Sequence, residues 1–205
     1  MGQPLHAFDA AAIKGNKVVV TTLAEGSKFA TLDNKERTLR ATDLMICNAG
    51  EGKPGTEEGM CIAGVFGGAH SGIRETTTNI FLESACFSPV FIRKTSQHHQ
   101  LKTDASFRFE RGTDPNITVY ALKRAALMIA QIAGGSISSE VIDVYPVKAE
   151  NRRIEVKDKN VDRLIGKRIP REEIHAILKR LDIEVIDSKE NQYTVSVPAY
   201  RVDVL

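Results

Sequence analysis

This chain lacks most of the features that would announce a function unaided. Its 205 residues carry a formal charge of only +2, so no overall basic surface points to nucleic acid, and any polyanion contact must come from local patches. Cysteine is scarce: Cys47, Cys61 and Cys86 are odd in number, lack metal-ligand spacing and sit among apolar neighbours. Buried, reduced thiols in a cytoplasmic protein are the expectation. No apolar run approaches the roughly 20 residues of a membrane helix, and Met1-Gly2-Gln3-Pro4 has neither the charged nor the apolar part of a signal peptide. A soluble protein with no membrane partner follows.

Catalytic motifs are equally sparse. Gly64 to Gly72 is glycine-rich but lacks the Lys-Ser/Thr of a phosphate-cradling loop, and Gly50 to Gly55 contains Pro54 instead. His98-His99 has no i,i+4 partner and no carboxylate nearby in sequence, so solvated histidines are expected rather than a metal site. No Gly-x-Ser-x-Gly elbow or Cys–His arrangement supports covalent catalysis.

What is present is enough apolar sequence, 42%, for one good core and a second small one. Lys17 to Thr22, Leu44 to Cys47, Met60 to Phe66 and Ile80 to Glu83 read as strands, parted by turn residues at Gly26, Asp33-Asn34 and Gly67 to Gly72. Asp114-Pro115 predicts the cap and first turn of a helix with Val119, Leu122, Ala126 and Ile129 on its apolar face, stopped by Gly134-Gly135. Val141 to Tyr145 is predicted to close this unit as a strand, with a polar connector over Pro146 to Asn151. The expected architecture is mixed α+β: a strand-rich domain over 1–147, then a small winged-helix-like α/β domain over 148–205. The second comprises a strand at Ile154 to Val156, a helix over Val161 to Ile165, another from Pro170 striped by Ile174, Ile177, Leu178 and Leu181, and a hairpin through Ser188 to Asn191. Lys167, Arg168 and Arg171 could contact nucleic acid, but Asp158, Asp162, Glu172 and Glu173 dilute the patch, and a solvated face is favoured. The abrupt openings at both ends read as those of a fragment.

The stretch Thr103 to Pro115, TDASFRFERGTDP, is the most distinctive. Its aromatic and polar residues alternate, which predicts a strand with Phe107 and Phe109 toward a core and Ser106, Arg108 and Glu110 on the opposite face. Arg108, Glu110 and Arg111 are expected in structural ion pairs.

Taken in order, GQPLHAFD, AGVFGG, LESACFSP, IRKTS, LKTDASFRFERGTDP and DRLIGKRIPREEI resemble the beta subunit of bacterial phenylalanyl-tRNA synthetase, over nearly the whole chain. The resemblance implies an editing module, truncated at its start, followed by the winged-helix-like domain. It implies hydrolysis of tyrosine misattached to tRNA(Phe). His6 matches the family's editing histidine and Glu83 its hydroxyl-reading glutamate; read on residues alone, they would be a satisfied structural histidine and an ion-pair partner of an arginine such as Arg93. Gly64 would supply backbone donors, and Thr103 and Ala105 fall at pocket-wall positions. Arg93, Lys94 and Lys102 would contact tRNA. The family's upstream Thr-Asn pair precedes the residues present here, and SQHHQ at 96–100 is less basic than in relatives. The resemblance further implies partnership with an alpha subunit in a heterotetramer of two alpha and two beta chains. No cofactor is expected within these residues; ATP and magnesium belong to the whole enzyme. A non-catalytic architectural module is one alternative, favoured if His6 and Glu83 lie apart; an RNA-binding module centred on residues 150–205, with salt-sensitive binding, is another.

Overall fold

Runs of β-branched residues, each too short for a helix, build a first unit that is largely antiparallel sheet. The computed structural model describes every residue except Met1, Gly52, Pro54 and Leu205. Pro54, which sets the 50–55 turn apart from a phosphate loop, therefore lies outside the described residues. The chain divides into two units: one over 1–113 and 117–143, the other over 144–205 with 114–116.

In the first unit the strands are β1 Leu5–Asp9, β2 Val18–Thr22, β3 Lys28–Ala30, β4 Glu36–Thr38, β5 Leu44–Asn48, β6 Glu58–Ile62, β7 Phe66–Gly67 and β8 Ile80–Ser84. β2-β5-β6-β7 form a four-stranded antiparallel sheet; β3 pairs with β4, and β1 with β8. β5 is flanked on both edges and buried from Met45 to Asn48, as its apolar sequence requires. Phe8, Met45, Ile46 and Ile62 are almost wholly removed from solvent at the centre of this core. The apolar run Met60 to Phe66 is not one strand: it folds back at Gly64, whose φ of +66° suits glycine in a tight turn.

Among the described residues three α-helices complete the unit: α1 Pro89–His99, α2 Asp104–Phe109 and α3 Thr118–Ala133. The strand expected from Thr103 is instead a helix. The Thr103 hydroxyl accepts from Ser106 N–H at 3.1 Å while Ser106 Oγ accepts from Thr103 N–H at 3.0 Å, a reciprocal cap that outweighs the aromatic alternation. In a helix Phe107 and Phe109 point apart, so Phe109 is buried and Phe107 is 56% exposed rather than a core anchor. Arg111 lies 3.6 Å from the Phe107 ring centre and pairs with Glu110 at 2.8 Å, the structural role expected of it; Arg108 donates to Gly2 C=O at 3.0 Å rather than to a carboxylate.

α3 begins at Thr118, so Asp114-Pro115 stands outside the helix, and its buried face is carried by Ala121 and Ala125. Ser84 Oγ donates to Thr118 C=O at 2.9 Å, holding the helix start to β8. Val141 to Tyr145 forms no strand, because β-branched residues without a pairing edge gain no ladder; Ile142 and Val144 are more than four-fifths exposed. Cys47 and Cys61 are buried free thiols as expected, whereas Cys86 is exposed. His99, expected in solvent, is buried at the end of α1 with Nε2 2.7 Å from Asp43 Oδ2. Asp43 also accepts from Arg40 N–H, the Arg40 guanidinium and Thr95 Oγ1, at 2.9, 3.1 and 2.8 Å. Burial opposes ionisation of Asp43, but these bonds outweigh it and hold the carboxyl below its ordinary value.

The second unit contains β9 Arg152–Lys157, α4 Asp158–Ile165, α5 Arg171–Arg180, β10 Glu184–Lys189 and β11 Gln192–Val197. Its antiparallel sheet has the order β10-β11-β9, so the expected strand, two helices and hairpin are all present. Along β11, Tyr193, Val195 and Val197 point into a small core completed by Ile174 and Leu178 of α5; Ile177 and Leu181 are more exposed than their stripe implied. Arg171 is tied down rather than presented to a ligand. Its guanidinium bonds Asp158 and donates at 2.7 Å to the carbonyls of both Lys189 and Glu190 at the hairpin turn.

Candidate functional site

The two residues with the strongest chemical promise meet across one strand pair. β1 and β8 run antiparallel with Leu5 opposite Ser84, His6 opposite Glu83 and Ala7 opposite Leu82. Direct partners in an antiparallel pair project to the same face with Cβ atoms about 5 Å apart. His6 and Glu83 therefore occupy one patch of the ribbon.

Both side chains are poorly hydrated. His6 Nε2 is buried and has no hydrogen-bond partner among the described residues, and burial lowers the imidazole pKa below its ordinary value. Burial pushes the Glu83 carboxyl up to about 7. No ion pair joins Glu83 to Arg93; Arg93 is exposed. A neutral imidazole with a free nitrogen, beside a carboxyl titrating near neutrality, is an arrangement in which protons and polar ligands can be handled at pH 7.

The surroundings come from the β6–β7 hairpin. A Cβ placed on Gly67 would lie 3.0 Å from His6 Cε1, so it is this glycine that leaves room beside the histidine. Gly67 pairs with Cys61, whose thiol pKa is raised by burial and further by the Glu83 charge. Gly64 faces elsewhere: a Cβ there would meet Phe87, Ile92 and Phe109 at 2.7–3.0 Å, inside the core. Gly67 lies in the same glycine run, and spacing alone does not separate the two.

Thr103 and Ala105 lie at the start of α2. The Thr103 hydroxyl donates to Val65 C=O at 2.8 Å while capping the helix, which docks α2 on the hairpin turn next to Phe66 and Gly67. Ala105 is half-buried against the core. Arg93, Lys94 and Lys102 are exposed and make no ion pair among the described residues. Two surface hollows, of about 360 Å³ near Phe87 and Phe91 and about 620 Å³ near Phe29 and His70, include neither His6 nor Glu83. The site is built on a ribbon face beside a glycine. No group of three or more His, Cys, Asp or Glu residues suited to a metal ion is found among the described residues, and no described helix is long and apolar enough to cross a membrane.

These features fall within a known family. Residues 1–134 match the B3/4 domain, and residues 154–205 match the tRNA synthetase B5 domain; the chain belongs to the B3/4 domain family. The resemblance carried by the sequence strings holds along the whole chain. It is 53% identical over 203 residues to the phenylalanine--tRNA ligase beta subunits of Bacteroides fragilis and Bacteroides thetaiotaomicron, and 43% identical to that of Geobacter metallireducens. Each match covers 99% of this chain and 24% of the relative, so the chain spans about a quarter of those proteins. A solved N-terminal fragment of the beta subunit from Pyrococcus horikoshii aligns over 98% of this chain and 55% of its own, at 13% identity and a TM-score of 0.43.

Proposed function

We propose that the His6–Glu83 ribbon is the acyl end of an editing site that hydrolyses tyrosine misattached to tRNA(Phe), within a beta subunit of a phenylalanine-tRNA ligase. The observation that carries this reading is the direct cross-strand pairing of His6 with Glu83, which also weighs against a purely architectural module.

Such a site has a physical reason to exist. A pocket that selects phenylalanine rejects an isostere bearing one extra hydroxyl only weakly, so a second site must read that hydroxyl. Glu83, ionised, accepts a hydrogen bond from the tyrosine phenol; protonated, it donates one to the phenol oxygen. Phenylalanine offers neither, leaving the group desolvated and unpaired at about 1–3 kcal/mol. His6, neutral and with Nε2 free, orients water against the ester carbonyl. Water adds there, the bond to the ribose oxygen breaks, and the water proton ends on that oxygen. The ester is already activated, so positioning supplies much of the rate. The Phe66–Gly67 backbone and α2, docked through Thr103, frame the acyl group, and Ala105 keeps the wall low; Arg93, Lys94 and Lys102 are free to meet the tRNA backbone.

In this reading residues 1–147 form the editing domain and 148–205 a B5 domain with a capacity for nucleic acid. The partners are tRNA(Phe) and an alpha subunit in a cytoplasmic heterotetramer. ATP and magnesium serve aminoacylation at a site outside these residues, and no step here passes through them. The test is deacylation of tyrosyl-tRNA(Phe) by the complete two-subunit enzyme, wild type against His6→Ala, Glu83→Ala and Ala105→Trp. Hydrolysis should fall at least tenfold in each; unchanged rates in all three would falsify the assignment.

A further inference from the structure

Beside His6 stands a half-exposed leucine held in place by a partly buried arginine, and neither has a part in the site as described so far. Leu32 is 48% exposed. Its N–H donates to Gly67 C=O at 3.0 Å, and Ala69 N–H donates to Ala30 C=O at 3.0 Å, so residues 30–32 are stitched to the glycine segment on both sides of the Thr31–Gly68 bridge. A Cβ on Gly67 would lie 2.8 Å from Leu32 Cδ1 and 3.0 Å from His6 Cε1. Two carbons that close to one point are less than 6 Å from each other. Leu32 and His6 thus stand side by side over the same glycine.

The turn carrying Leu32 is built with unusual care for a surface segment. Thr31 is fully buried, and Arg37, its side chain only 14% exposed, spans three acceptors: Nε to Thr31 Oγ1 at 3.0 Å, Nη1 to His99 C=O at 2.9 Å and Nη2 to Asp33 Oδ2 at 2.8 Å. Thr31 Oγ1 donates in turn to Asp33, and Thr31 N–H to Lys35 C=O. A scattered surface leucine calls for no explanation. This one is anchored through a partly buried guanidinium to the end of α1 and projected beside a desolvated imidazole.

We infer that Leu32 is a specificity-determining wall of the acyl site, the apolar surface against which the aromatic ring of the aminoacyl group packs, and that Arg37 is the residue that positions it. The inference rests on the editing reading and deepens it. Glu83 reads the hydroxyl, and Leu32 holds the ring at the height where that reading occurs. Because Leu32 contacts the ring in the ground state and the transition state alike, its loss shows in KM and leaves kcat in place.

The experiment is steady-state deacylation of tyrosyl-tRNA(Phe) by the full two-subunit enzyme carrying Leu32→Ala, Leu32→Met, Arg37→Ala or Arg37→Lys, with His6→Ala as reference and melting temperature measured on each. Leu32→Ala should raise KM about five- to tenfold with kcat within twofold of wild type, and Leu32→Met should restore KM. Leu32 is half exposed, so neither change threatens the fold. Arg37→Ala should reproduce the KM rise, and Arg37→Lys should not rescue it, since one ammonium does not span the three acceptors in that fixed geometry. If KM is unmoved in Leu32→Ala while His6→Ala abolishes hydrolysis, the wall is wrong and the editing site stands. If Arg37→Ala lowers only the melting temperature, Arg37 has no positioning role. If wild type and His6→Ala hydrolyse equally, the editing reading fails and this inference with it.

Discussion

His6 and Glu83 are bound into a single register: each is the other's direct partner across β1 and β8, and both are poorly hydrated. Their neutral forms are favoured by the same cause, burial, acting in opposite directions on a base and an acid.

Glu83 consequently makes stability depend on pH. The folded chain holds its proton up to about 7, whereas an unfolded glutamate releases it near 4.5, so stability contributed by the neutral form is complete below about 4.5 and lost as pH rises through 7. Glu83→Gln should be near neutral in stability at pH 4 and stabilising by about 1–3 kcal/mol at pH 8, read from urea titrations at both values. A stabilisation independent of pH would contradict the raised value.

Substituting the two glycines of the hairpin should give opposite phenotypes. Gly64→Ala must place a methyl group among Phe87, Ile92 and Phe109 and hold alanine at φ +66°, a combination expected to cost about 2–4 kcal/mol. Gly67→Ala presses first on the flexible Leu32 side chain and the edge of His6, so the fold should survive while tyrosyl-tRNA hydrolysis drops. Parallel melting and deacylation assays separate the two.

Asp43→Asn removes the charge that His99, Thr95 and Arg40 surround. Destabilisation of about 3–5 kcal/mol is expected at pH 7, with a melting temperature lower by roughly 10 °C. Since the folded pKa of Asp43 is depressed, its contribution is present above the ordinary carboxylate range and disappears as pH falls below it. The gap between wild type and variant should close in acid; a gap that persists there argues for a packing origin.

In the second unit Arg171→Ala should loosen the hairpin turn, seen as faster amide exchange along β10 and β11, whereas Lys167→Ala and Arg168→Ala should leave exchange unchanged. RNA binding by the complete enzyme, if this unit contributes, should weaken with salt and respond to Lys167 and Arg168.

How much of this was legible in sequence follows from the range of the interactions involved. β2, β5 and β8, the α4–α5 pair and the hairpin after it are written in local patterns of β-branched residues, caps and turn residues. The segment after Thr103 misled because Phe-Arg-Phe imitates a period of two, while the decisive signal, threonine three residues before serine, is a weak form of the capping box. His99 looked solvated because its carboxylate lies 56 residues away. The roles proposed for His6 and Glu83 were readable only through likeness to a family, since no spacing reveals a cross-strand register. That likeness pointed to Gly64, whereas the room beside His6 is left by Gly67, and Leu32, a leucine in a polar turn, gave no signal.

The β1–β8 ribbon has a mechanical implication. His6 and Glu83 hang from one backbone ladder, so a shift of the ribbon carries both together, altering their distance to Gly67 and Leu32 far more than their distance to each other. On the proposed editing function, selectivity and speed are coupled through the same ribbon. A lesion that slackens the ribbon would slow the reaction and blur discrimination in one stroke, and a suppressor that tightens it would restore both without touching either side chain.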